Sequence, residues 1–116
     1  MNTAPFVSLR NVPNSTELEA EILERVERLE RYYSRITSCR VTVSAPRRHR
    51  QGGIYHVRID LAVPGEDIVI DHEAELDHAH EDLRVAIRDA FKAARRKLQD
   101  HARRMRGDVK KHATPQ

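Results

Sequence analysis

The sequence predicts an α/β two-layer sandwich of order β-α-β-β-β-α, with a four-stranded mixed sheet and two helices on one face. Four short segments alternate apolar and polar residues, which is the period of a half-buried strand. Two longer segments repeat apolar residues every three or four positions, which is the period of an amphipathic helix. Because each segment has one apolar face, the two layers can bury those faces against each other.

The first strand and the first helix lie at the start of the chain. Residues 6–12 are β-prone and are followed by Pro13-Asn14. Ser15 or Thr16 can cap a helix that runs to about Tyr33, with acidic residues in its first turns. Its outer face carries i,i+4 pairs of opposite charge, which we interpret as an ordinary solvated surface. A right-handed crossover would make the first strand parallel to the second.

The other three strands follow in succession. The second strand is predicted at residues 36–45, where Cys39 falls on the apolar side and is expected to be a core residue. The third occupies residues 55–63. After the turn sequence Pro64-Gly65-Glu66-Asp67, the alternation resumes over residues 68–75, which predicts an antiparallel hairpin.

The final helix is the longest predicted element, about 25 residues from Glu81-Asp82 to a terminator at Gly107. Its apolar stripe consists of Leu83, Ile87, Ala90, Phe91, Ala94, Leu98, Ala102 and Met105. Residues 1–106 are therefore predicted to form one domain, and residues 107–116 a flexible basic tail.

The chain has 116 residues and a net charge of only +3, but the charge is unevenly distributed. Residues 1–83 carry 10 Lys and Arg against 15 Asp and Glu, whereas residues 84–116 carry 11 against 3. This division indicates a polyanionic partner, most commonly nucleic acid, although a solvated basic face is the alternative. One cysteine excludes an intramolecular disulfide, and neither a membrane span nor a secretory signal is visible, so we expect a cytoplasmic protein.

Basic residues of the final helix lie off its apolar stripe. Arg84, Arg88, Lys92 and Arg96 follow a strict i,i+4 series without interleaved acids, which predicts one ridge. Such a ridge repels itself unless an anionic partner offsets the repulsion. Arg95 lies next to this series, and the turn after Pro46 carries a second basic cluster. The candidate RNA-binding residues are therefore Arg84, Arg88, Lys92, Arg95 and Arg96 of the helix, with Arg47, Arg48 and Arg50 of the turn.

Three further cations, Arg10, Arg40 and Arg58, could add charge on the open polar face of the sheet. No aromatic pair accompanies the basic positions, which favours recognition of RNA backbone and shape over base stacking.

Histidines and acids cluster between residues 72 and 81. The cluster consists of His72, His78 and His80 with Glu73, Glu75, Asp77 and Glu81. No zinc motif, nucleophile or glycine-rich phosphate loop accompanies it, so we predict no metal, no cofactor and no catalytic site.

Several stretches, in this order and spacing, resemble the ribosome hibernation promoting factor family, also called ribosome-associated translation inhibitors. The resemblance covers about residues 6–101. The stretches are Thr16 through Tyr33, Cys39-Arg40-Val41-Thr42-Val43, Tyr55-His56-Val57-Arg58-Ile59-Asp60-Leu61, Val63-Pro64-Gly65, Glu81-Asp82-Leu83 and Ala86-Ile87-Arg88-Asp89-Ala90.

The resemblance implies a fold like that of double-stranded RNA-binding domains. It also implies binding to the small ribosomal subunit through ribosomal RNA near the decoding region, where the protein sterically inhibits translation or promotes hibernation under stress. No small-molecule substrate is implied. The stretch Lys92 through Leu98 is more basic than its counterpart in the family, and residues 103–110 resemble a subgroup in which a cold-shock-like module can follow. We expect a short form or the N-terminal domain of a longer member.

Two other functions stay open from the sequence. The chain could be a protein-interaction module that self-associates through a sheet edge without binding RNA, or a small metal-dependent enzyme using residues 72–80. We expect a monomer, with a weak dimer as the alternative.

Overall fold

The computed structural model describes residues 3–12, 15–45, 54–75 and 80–113. Its elements follow the predicted order. They are β1 (Phe6–Arg10), α1 (Ser15–Tyr32), β2 (Ser38–Ser44), β3 (Ile54–Val63), β4 (Glu66–Glu75) and α2 (His80–Ala113). The predicted two-layer fold is confirmed, and none of the described helices is long and apolar enough to span a membrane.

The strands form one sheet of order β1-β2-β3-β4. β1 pairs with β2 in parallel and the two later pairs are antiparallel, as the sequence predicts for a mixed sheet. The β3–β4 turn is tighter than predicted, because it consists of Pro64 and Gly65 alone and Glu66 already begins β4. Gly65 has a φ of 93°, which suits the second central position of a turn that starts with proline.

Both helices cover the same face of the sheet. The shared core contains Leu18, Ile22, Val26 and Leu29 of α1, Val41, Val43, Val57, Ile59, Leu61, Ile68 and Ile70 of the sheet, and Leu83, Ile87, Ala90, Phe91, Ala94 and Leu98 of α2. Cys39 belongs to this core, as predicted. Burial, assisted by the negative charge of Asp60, raises the pKa of the Cys39 thiol to about 12, so this cysteine is held as an unreactive thiol.

α2 extends well beyond its predicted end. It has 34 residues and so is about 51 Å long, and it continues through Gly107 as far as Ala113. The prediction that Gly107 ends the helix was therefore wrong. A glycine inside a helix costs only about 1 kcal/mol relative to alanine, and the next residue that cannot continue a helix is Pro115. The domain boundary at residue 106 and the flexibility of residues 107–116 stay predictions.

The apolar stripe of α2 outlasts the sheet that it covers. Leu98 is fully buried, whereas Met105, seven residues later on the same stripe, is 44% exposed. The helix therefore leaves the core at about His101, and its following turns present basic side chains to solvent, at Arg103, Arg104 and Arg106.

Candidate nucleic-acid interface

The two helices enclose a basic groove of about 170 Å³, which we call the inter-helix groove. Cations from both helices line it. Its lining residues are Arg25, Arg28, Leu29 and Tyr32 of α1 and Arg88, Phe91, Lys92 and Arg95 of α2. Leu29 and Phe91 are buried in the core, so they form an apolar base beneath five positively charged side chains.

Helical spacing explains why these side chains meet. Arg25, Arg28 and Tyr32 are spaced three and four residues apart, so they share one flank of α1 beside its buried stripe. Arg88, Lys92 and Arg95 have the converse spacing on α2 and share a flank in the same way.

Two features distinguish the groove from a plain charged surface. The guanidinium carbon of Arg95 lies 4.3 Å from the centre of the Tyr32 ring, within the range of a cation–π contact. Tyr32 nevertheless remains 39% exposed. The Nε of Arg25 is buried and has no hydrogen-bond partner among the described residues. A buried polar group without a partner is costly, but because this atom is buried, a bound acceptor would reach it only after the side chain moves.

The predicted ridge is only partly assembled. Arg88, Lys92 and Arg95 lie in the inter-helix groove, while Arg96 is exposed outside its lining. Arg84 forms an ion pair of 3.0 Å with Glu21 of α1. Arg88 contacts the adjacent Asp89 at 3.4 Å, so an acid outside the i,i+4 series partly neutralises this member of the ridge. The predicted turn residues Arg47, Arg48 and Arg50 lie outside the described residues.

The open face of the sheet has mixed charge. Arg58 donates hydrogen bonds of 3.1 to 3.3 Å to the carboxylate of Asp60, which neutralises it. The guanidinium of Arg40 lies 5.2 Å from the centre of the exposed Phe6 ring. Arg10 is exposed near the β1 edge. This face therefore offers an anion less concentrated positive charge than the inter-helix groove does.

The histidine-rich segment does not assemble a metal site in the part of the chain that the structure describes, where no group of three ligating side chains occurs. His72 and Glu73 are consecutive in β4 and so point to opposite faces of the sheet. Glu73 lies 3.5 Å from His56 of β3. His78 and Asp77 lie outside the described residues, as do the side chains of Glu75, His80 and Glu81.

One polar cluster fastens α2 to the β3–β4 hairpin. His101 is 2% exposed, and its Nδ1 donates a hydrogen bond to Glu66, whose carboxylate also accepts one from Arg104. The ring of Tyr33 packs edge-on against His101, with 5.7 Å between ring centres. The hydrogen bond from His101, followed by that from Arg104 and both positive charges, holds the pKa of Glu66 below its ordinary value despite some desolvation.

A family model described as Sigma 54 modulation protein / S30EA ribosomal protein matches residues 6–106, most of the chain. The chain belongs to this family. Membership confirms the predicted resemblance to ribosome hibernation promoting factors, and it identifies a ribosome-associated class of protein. No significant match was found among curated proteins.

Solved structures share the fold of this family member. A ribosomal subunit interface protein from Coxiella burnetii superimposes with a TM-score of 0.65 at 13% identity, covering 84% of this chain and 96% of that one. The N-terminal domain of Protein Y from Thermus thermophilus superimposes with a TM-score of 0.63 at 21% identity, covering 87% and 99%. Both likenesses concern the fold.

Sequence reasoning missed the contribution of α1 to the groove in this S30EA family member. The sequence predicts an ordinary solvated face here, and Arg28 does form the expected i,i+4 pair with Glu24 at 4.0 Å, but Arg25, Arg28 and Tyr32 also line the groove. Their common flank is visible in their spacing, but the partner flank on α2 depends on how the helices pack. His101 carried a weaker signal, because it falls on the apolar stripe three residues after Leu98, while its partner Glu66 is distant in the chain.

Replacing Glu66 with glutamine in the family member should lower the free energy of unfolding at pH 7 by about 1 kcal/mol, since the carboxylate no longer pairs with His101 and Arg104. The folded-state pKa is lowered, so this contribution is complete above the ordinary pKa of 4.5 and is lost as the pH falls through the folded-state pKa. Urea unfolding from pH 7 to pH 3 should show the two proteins converging. Asp67→Asn, at the exposed neighbouring position, is the control; a constant difference at every pH would contradict the assignment.

Proposed function

We propose that this protein binds the small ribosomal subunit through ribosomal RNA near the decoding region, and that bound protein sterically inhibits translation or promotes hibernation under stress. Membership of a ribosome-associated family supports the ribosome as the partner. The proposal places the protein in the cytoplasm, where ribosomes are.

The observation that carries the proposal is the convergence of cations in the inter-helix groove. Five positively charged side chains from two helices line one cavity of about 170 Å³. Phosphates of folded RNA are the most densely spaced anions that a ribosomal partner presents, and neutralising them releases counterions. The groove supplies phosphate contacts without any catalytic group, which suits inhibition by occupancy.

Arg88, Lys92 and Arg95 are the proposed phosphate contacts on α2, joined by Arg25 and Arg28 of α1. Arg96 flanks the groove along α2 and would add longer-range attraction, whereas Arg84 would have to leave its ion pair with Glu21 to contact RNA. The basic turn containing Arg47, Arg48 and Arg50 stays a proposed secondary contact.

The proposal is tested by sedimenting the protein with purified small and large ribosomal subunits at increasing salt. We expect association with the small subunit at low salt. Between 50 and 200 mM salt, the affinity should fall about 50- to 150-fold if four phosphates are neutralised. Absence of small-subunit association at low salt would refute the proposal. Self-association that persists without RNA, in place of subunit binding, would support the sheet-edge interaction module instead.

A further inference from the structure

The Tyr32–Arg95 pair distinguishes the inter-helix groove from a purely electrostatic surface, because binding phosphates by charge requires cations but no aromatic ring. Tyr32 is the last residue of α1, and Arg95 lies near the middle of α2. With the guanidinium 4.3 Å from the ring centre, the pair bridges the two helices at one part of the groove. Both side chains remain exposed to an incoming ligand.

We propose that this pair stacks one unpaired RNA base while the surrounding cations hold the phosphates next to it. The inference rests on the proposed function and deepens it, since it specifies single-stranded or bulged RNA as the ligand. It also revises the expectation, drawn from the sequence, that the protein reads only backbone and shape.

The chemistry of the pair fits a base. Unstacked RNA bases are recognised by stacking on aromatic rings or on arginine guanidinium groups, and this groove places one of each in contact. A guanidinium fixed against a ring loses less side-chain freedom when a base stacks on it. Arg40 over Phe6 is a similar pair on the open face of the sheet, but Arg58 near it is already neutralised by Asp60.

The groove also fits one nucleotide in size and charge. Its volume of about 170 Å³ lies below the roughly 300–1,000 Å³ of pockets for drug-sized ligands, so the groove matches a small planar group such as one base. Arg28 and Lys92 approach from opposite helices and can each contact a phosphate on either side of that base.

The test compares two RNA decamers of equal charge, one with uracil bases and one abasic, by fluorescence anisotropy. The wild-type protein should bind the uracil decamer about five- to tenfold more tightly, the lower part of the range for one stacked base. Tyr32→Leu should abolish this preference and leave the salt dependence unchanged, because every cation is retained. Tyr32→Phe should preserve it, since the ring remains.

Phe6→Leu is the matched control, because it removes the ring of the other arginine–aromatic pair and should keep the preference for bases. Thermal unfolding would verify that each variant is folded. Equal wild-type affinity for both decamers, or equal losses for both in Tyr32→Leu, would overturn the base-stacking inference. If such a result came with small-subunit association intact, only the base-stacking inference would fail and the proposed function would stand. If the wild-type protein did not associate with the small subunit at all, both the inference and the proposed function would fail.

Discussion

Replacing Lys92 with glutamate should weaken small-subunit binding by at least about tenfold at 0.1 M salt, because one phosphate contact and its released counterion are lost. Lys92 lies in the inter-helix groove and is exposed, so no core contact changes. The substitution also places an acid four residues from both Arg88 and Arg96. It therefore converts two repulsive i,i+4 pairs into attractive ones, and α2 should be no less stable.

Adding Arg28→Glu on the opposite helix should extend the loss to at least about 100-fold. Each cation removed from a phosphate contact should also reduce the slope of log affinity against log salt by about 1. The measurement is sedimentation with small subunits over a salt series, with urea unfolding of the same variants to separate binding from folding. A double loss well above a single one would show that both helices touch RNA.

Arg10→Glu gives the same change of net charge on the open face of the sheet and serves as the control. It should weaken binding by less than about threefold, since screening removes most of the effect of a charge beyond about 10 Å. If Lys92→Glu and Arg10→Glu had equal effects, the groove would not be the contact surface. The basic turn at residues 47–50 would then be the next cluster in which to reverse the charge.

Much of the fold was predictable because it depends on local periodicity. Alternation in β2, β3 and β4 identifies the strands, and the Pro64-Gly65 turn fixes how the last two pair. The prediction that Gly107 ends α2 was wrong because glycine disfavours a helix only weakly, and neighbouring helix-forming residues can override that preference. The exposed position of Met105 could not be foreseen either, since periodicity shows the face of a helix but not where its partner sheet stops.

Only the α2 side of the candidate site was predictable from the sequence. The cations of α2 are visible in its sequence, whereas the contribution of Arg25, Arg28 and Tyr32 depends on the packing of α1 against α2. Pairing also changes the meaning of a charge. In the sequence, Arg84 has no obvious acidic partner, but in the structure Glu21 of α1 neutralises it across the interface between the helices. Counting charges along the sequence therefore overestimates the free positive charge of the α2 ridge, and it underestimates the positive charge that the two helices bring together in the groove.

Leu98→Ala should lower the free energy of unfolding by about 2–5 kcal/mol, because the side chain is fully buried and its loss leaves a cavity between α2 and the sheet. That is a large fraction of the stability of a domain of this size. Met105→Ala is the matched control on the same stripe. With 44% of Met105 exposed, its loss should change stability by less than about 0.5 kcal/mol.

Urea unfolding of both variants, followed by circular dichroism, measures where α2 stops being part of the core. A large effect at Leu98 with a small one at Met105 would place that boundary near His101, where Glu66 and Arg104 clamp the helix. The turns beyond it would then be held by helix propensity and by the clamp rather than by apolar packing. Equal effects at the two positions would contradict this division, because they would require a buried contact for Met105 that the fold does not provide.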